Sequence, residues 1–137
     1  MKPLNDDNRN QEDRFPIGII VISVILVFTA LATDYYWLAG WLGKEFPSLQ
    51  GIDPEFYANF ALPDMILSVF LYIGAFGLMK RKKYGFMAAL LAMGMWFYDL
   101  LLVFRVTLWT HFNIVGPSLA FVLFTIFYLW WKREIFS

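Results

Sequence analysis

No cysteine occurs in the 137 residues, which excludes disulfides, thiolate metal sites, cysteine nucleophiles and thiol redox chemistry. A single histidine excludes bis-histidine haem ligation by one chain. Net charge is lacking too: eleven basic residues balance eleven acidic ones, so no basic field argues for nucleic acid as a partner. Charged residues make up only 16% of the chain, whereas 60% are hydrophobic and 20% aromatic. That balance is foreign to a water-soluble domain of this length and sets the expectation of an integral membrane protein. Catalytic signatures are also missing: there is no phosphate-binding glycine loop, no His-x-x-x-His metal pair and no nucleophile-base motif. The residues therefore call for no metal ion and no cofactor.

What is present is four long apolar runs, Ile17 to Thr33, Phe60 to Met79, Phe86 to Trp109 and Ile114 to Trp131. Each approaches the ~20 residues that a helix needs to cross the hydrocarbon of a bilayer. The fold class expected is an all-α membrane protein, a four-transmembrane-helix bundle. Residues 1-15 read as a polar cytoplasmic tail and 16-137 as a single four-helix transmembrane domain, with helices at about 16-37, 56-79, 84-110 and 114-132. The first run has the small-x-small triplet Ala30-Leu31-Ala32 of a leader cleavage site, but the tail before it carries Asp6, Asp7, Glu12 and Asp13 against three bases. A leader wants a positive start, so a retained membrane helix is expected.

Lysine and arginine set the orientation. Lys2, Arg9 and Arg14 precede the first run, Lys80-Arg81-Lys82-Lys83 joins the second to the third, and Lys132 and Arg133 follow the fourth. The other two connections hold only Lys44. The expectation is N-in/C-in, in the cell's inner (plasma) membrane with both termini cytoplasmic. The Lys80 to Lys83 run reads first as this topology signal and second as a contact for anionic lipid. The outer connection from about Leu38 to Glu55 brings Trp37, Trp41, Leu42 and Phe46 to the interface, and Asp53-Pro54 reads as a helix start. Pro63, which cannot donate to Asn59, is expected to kink the second helix just before Asp64.

Small residues cluster at the inner ends of the second and third helices: Gly74 and Gly77 in one, Gly85, Ala88, Ala89 and Ala92 in the other. Spacing of this kind lets backbones approach, so the bundle is expected to be tight at the cytoplasmic end and splayed outward.

Four charges lie in the outer half. Asp34 ends the first helix, and by helical rise Asp64 lies about 6 Å below Phe60, Asp99 about 15 Å below Trp109 and Arg105 about 6 Å below Trp109. Charge at such depth is expensive and normally faces the bundle interior with a partner. A carboxylic acid escapes that penalty by staying protonated, and Asp99, the deepest, is the one expected to do so. Arg105 must snorkel, pair with Asp34 or Asp64, or hold an anion. Helical spacing extends the charges into stripes: Asp64 with Ser68 and Tyr72, Asp99 with Met95 and Trp96, Arg105 with Tyr98. Asp34, Asp64, Asp99, Arg105, Trp96, Tyr98, Ser68 and Tyr72 are the expected ligand-binding residues of an acidic, aromatic, outward-facing pocket, suited to a cationic or amphipathic molecule. Each also has a structural reading, as helix cap, dipole partner or packing residue, and His111 beside Asn113 reads as a solvated turn residue.

The segment Thr33-Asp34-Tyr35-Tyr36-Trp37, followed by Leu62-Pro63-Asp64-Met65-Ile66-Leu67-Ser68, resembles a pattern in uncharacterised small four-helix bacterial membrane proteins, the YvaD-like group, over about residues 33-77. The resemblance implies the four-helix fold and no activity. The architecture is also similar to sterol-isomerase-like membrane domains, which hold an amine or sterol in an acidic pocket. This chain lacks the buried histidine and glutamate pair of those isomerases, so the similarity does not bring their catalysis.

Three functions follow from these residues. A binding or transport protein would take a cation or proton from the outer side, and transport would need a homodimer, because four helices leave little room for an alternating path. An enzyme would use protonated Asp99 as general acid on a lipid or isoprenoid, with Asp34 or Asp64 steadying positive charge. An accessory subunit would use the polar residues only for interhelical hydrogen bonds. The first is favoured, with membrane lipids as the surroundings in every case.

Overall fold

The computed structural model describes residues 15–43, 55, 58–106 and 112–137, of Val106 the backbone only. Among them the chain is all-helical: α1 (Ile17–Trp41), α2 (Ala61–Met79), α3 (Lys83–Val106) and α4 (Phe112–Trp131) precede a short 3-10 turn, Arg133–Ile135. Each of the four helices is long and apolar enough to cross a membrane. Large apolar side chains stand exposed on their outer faces, among them Phe28, Phe76, Phe127 and Trp131. An apolar surface of that extent is stable only against apolar surroundings. Most of the expected tail, Lys44, Phe46, Asp53-Pro54, Trp109 and His111 lie outside the described residues.

The packing core follows from residue size. α2 lies between α1 and α3, and α4 packs chiefly on α3. Where α2 and α3 meet near their connecting turn, both lack side chains: a Cβ on Gly77 would run into the main chain of Gly85, and one on Gly85 into the main chain of Gly77. One turn further on, a Cβ on Gly74 would lie 3.0 Å from the Cα of Ala89. The close approach expected of these small residues is therefore present, and it fixes the register of the two helices. Larger apolar side chains, including Leu26, Leu71, Met93, Val122 and Leu129, fill the layer that the four helices share.

The same end is closed by hydrogen bonds. The N–H groups of Arg81 and Lys82 donate to the carbonyls of Leu78 and Gly77 at 3.0 and 2.8 Å, satisfying two orphan carbonyls at the end of α2. That geometry requires a left-handed residue, and Arg81 supplies it at φ 52. Its guanidinium lies 4.8 Å from the Phe15 ring centroid. Ser137 donates its N–H to the Arg81 carbonyl at 3.0 Å and accepts from the Lys83 N–H at 3.1 Å. Beside it the Phe136 ring, almost wholly buried, stacks on Phe86 with centroids 5.3 Å apart. We call this the basic end, since Lys80 to Lys83, Lys132 and Arg133 all lie there.

Three details differ from expectation. α1 continues to Trp41, a turn beyond residue 37, running through Gly40 and ending just before Gly43, which adopts φ +78. Trp37 is thereby a buried helical residue rather than part of an interfacial loop. α2 runs from Ala61, and the helical residues Glu55 and Ala58 are set off from it by a turn at Asn59 and Phe60, where one helix from about 56 was expected. Pro63 then falls in the first helical turn, where its missing N–H has no intrahelical partner in any case, so it starts the helix rather than kinking it.

Candidate functional site

The eight residues expected to form one pocket lie in several different surroundings. Asp34 and Tyr72 form a pair: the Tyr72 hydroxyl on α2 donates to Asp34 Oδ2 on α1 at 3.0 Å. Asp64 is tied to the same helix by a different donor, the indole Nε1–H of Trp37, at 2.9 Å from Oδ2. These two bonds span the α1–α2 interface and give each carboxylate a donor without any ligand. Ser68 is buried, but its hydroxyl donates to the Met65 carbonyl of its own helix at 3.0 Å and reaches no acid. Arg105 is exposed on the last turn of α3 and makes no ion pair among the described residues. Neither Arg105 nor Ser68 lines the cavities described below.

Asp99 behaves differently. The α2–α3 register brings it level with Asp64: the same number of residues separates Asp64 from Gly74 and Asp99 from Ala89, the pair in contact. By helical rise Asp99 sits about 10 Å inside the end of α3. Its Oδ2 is buried and has no hydrogen-bond partner among the described residues. An unsatisfied buried carboxylate oxygen is rare in a folded protein and asks for an explanation.

The residue also borders an open space. A cavity of about 260 Å³ is lined by both Asp64 and Asp99, together with Trp96, Phe60, Thr29 and Thr33. The Thr33 hydroxyl spends its proton on the Thr29 carbonyl at 2.9 Å, which leaves its oxygen able only to accept. The wall thus carries carboxylate and hydroxyl oxygens from three helices and no lysine or arginine. Trp96 adds an aromatic face and is itself braced by Phe121 of α4, centroids 5.8 Å apart. Such a wall fits a ligand that donates hydrogen bonds or carries positive charge.

Two further spaces adjoin it. One, about 370 Å³, shares Asp64, Thr29 and Thr33 with the first cavity and reaches Tyr36 and Trp37 on the α1 side. The other, about 560 Å³, is a groove along α2 and α3 that shares Asp99 and Phe60 with the first cavity and includes Tyr98. Among the described residues no group of three His, Cys, Asp or Glu side chains is placed to hold a metal ion.

Of the expected residues, then, Asp64, Asp99 and Trp96 share one cavity, Tyr98 lines the groove beside it, and Asp34, Tyr72, Ser68 and Arg105 stand apart. Sequence reasoning missed Thr29, Thr33, Phe60 and the role of Trp37. The signal for Trp37 was its position three residues after Asp34, on the same helical face. Compared with protein-family models, curated proteins and solved structures, the chain finds no match in any of the three.

Proposed function

We propose that this chain is a multi-pass protein of the plasma membrane with both termini on the cytoplasmic side, and that the Asp64–Asp99 cavity binds a cationic or amphipathic small molecule. The asymmetry of lysine and arginine supports the orientation: nine flank the runs on one side and Lys44 alone lies on the other. In that orientation the basic end is cytoplasmic and the cavity lies in the outer half, closed below by the glycine contacts of α2 and α3. The observation that carries the ligand reading is Asp99, which borders a cavity shared with a second carboxylate and free of lysine and arginine, and whose buried Oδ2 has no partner among the described residues. A cation, or a proton shared between the two carboxylates, supplies what that oxygen lacks. Carriage of the ligand across the bilayer would use a homodimer, since one set of four helices offers no second moving repeat.

An accessory role is favoured by two other observations, the Trp37–Asp64 and Tyr72–Asp34 bonds, which join helices as a purely structural protein would require. Asp99 separates the two readings, because among the described residues it is hydrogen-bonded to no neighbouring helix.

Thermal unfolding of the purified protein in nanodiscs, with and without tetramethylammonium, tests the proposal. The ligand is expected to raise the midpoint of the wild type and of Asp34→Asn, and to leave Asp99→Asn unmoved. A shift of equal size in Asp99→Asn removes the proposal.

A further inference from the structure

The groove along α2 and α3 has a gradient. Toward the middle of α3 it is walled by Leu90, Leu91 and Met95 over an open floor at Gly94, and its polar side chains, Tyr98, Asp99 and Asn59 of the turn before α2, all lie toward the end of the helix. From Leu90 to Asp99 it runs about 14 Å by helical rise. It is open sideways: Leu91 and Tyr98 are 50% and 62% exposed, and a Cβ placed on Gly94 would meet nothing within 4 Å. In the proposed orientation its apolar end lies at the middle of the bilayer and its polar end points to the outer surface, which is the polarity of an outer-leaflet amphiphile. Asp99 and Phe60 line both this groove and the inner cavity, so the carboxylate stands where the two spaces join.

Resting on the ligand reading above, we propose that the ligand is a single-chain cationic amphiphile that enters from the lipid, between α2 and α3, with its chain in the groove and its charged end at Asp99. Charge complementarity selects the occupant: the groove is apolar except where it reaches a carboxylate with an unpartnered oxygen. Lipid chains are as apolar as the groove, so the groove does not draw the tail out of the bilayer. It provides instead a path on which an amphiphile already in the membrane brings its charge to Asp99 without first passing into water. Gly94 is what keeps that path open, since any side chain there would stand in the groove.

Dodecylammonium carrying a diazirine at its tail, photolysed with the protein in phosphatidylcholine nanodiscs and mapped by peptide mass spectrometry, tests this. Label is expected on the Leu90, Leu91 and Met95 stretch, competed by unlabelled dodecylammonium, and reduced at least severalfold in both Gly94→Leu and Asp99→Asn. Gly94→Leu is expected to keep its thermal response to tetramethylammonium, which shows that it folds and that the cation site is intact. Label that survives Gly94→Leu, or that spreads without competition over lipid-facing residues such as Phe28 and Phe127, overturns the lateral path. Label that survives Asp99→Asn marks a surface for bilayer lipid and overturns it as well. Loss of the tetramethylammonium response in Gly94→Leu, with that variant still folded by its unfolding transition, also counts against it. The cation reading fails separately, and only if the tetramethylammonium response is independent of Asp99.

Discussion

The indole N–H of Trp37 meets the carboxylate of Asp64 at 2.9 Å across the α1–α2 interface. A donor so placed gives a half-buried acid its partner and sets the rotation of α1 against α2. Because the carboxylate oxygen accepts from Trp37, removing the indole leaves an acid without that donor in poor solvent. In a double-mutant cycle of Trp37→Phe and Asp64→Asn, unfolding free energies are expected to show a coupling on the order of 1 kcal/mol, as interhelical hydrogen bonds in membranes give. Strict additivity of the two changes would show that the bond contributes nothing.

Glycine contacts give the second prediction. Gly77→Ala places a methyl against the Gly85 main chain, which has no rotamer with which to move aside. The expected loss is about 3 kcal/mol, the upper part of the range for overpacking. Gly94→Ala, on the open side of α3, is expected to change stability by less than about 0.5 kcal/mol. Denaturant unfolding of the two variants in parallel checks the contrast.

At the basic end, Phe136 is buried against Phe86, and Ser137 bridges Arg81 and Lys83 through its main chain. Phe136→Ala is expected to lower stability by about 3 kcal/mol through the cavity it leaves. Faster proteolysis between Trp131 and Ser137 in that variant would accompany the loss. An unchanged unfolding transition would mean that the terminal segment does not hold the bundle.

Orientation is open to a clean test because the chain has no cysteine of its own. A maleimide that cannot cross the membrane, added to sealed right-side-out vesicles, is expected to label Leu42→Cys and to spare Lys82→Cys. Inverted vesicles are expected to give the opposite pattern. Labelling of Lys82→Cys from outside would reverse the topology.

The stretches that became helices were legible because hydropathy and length suffice to mark a span: over the described residues each apolar run coincides with one helix, apart from Phe60 in the turn before α2. Gly74, Gly77, Gly85 and Ala89 were legible as a contact because small residues leave helices free to approach. Asp64 and Asp99 were legible as charges of the outer half, since rise per residue converts position to depth, but counting from Phe60 and Trp109 made Asp99 the deeper, and only the Gly74–Ala89 contact brings the two level. Rotation about the helix axis was not legible. It decides that Arg105 faces outward and that Tyr72 reaches Asp34 rather than a shared pocket, and it depends on side-chain packing between helices that periodicity in one helix does not specify. Helix ends were hidden for a similar reason. Leu38 to Trp41 reads equally well as interface or as helix, and only its continuation in α1 makes Trp37 a partner for Asp64.

The central claim is that the Asp99 carboxylate faces a ligand and not a neighbouring helix. An experimental density map of the protein in nanodiscs with dodecylammonium tests it most directly. Density for the ammonium group is expected to touch the Asp99 carboxylate, in the cavity shared with Asp64 and Trp96. A collapsed, empty cavity with Asp99 hydrogen-bonded to a neighbouring helix would contradict it.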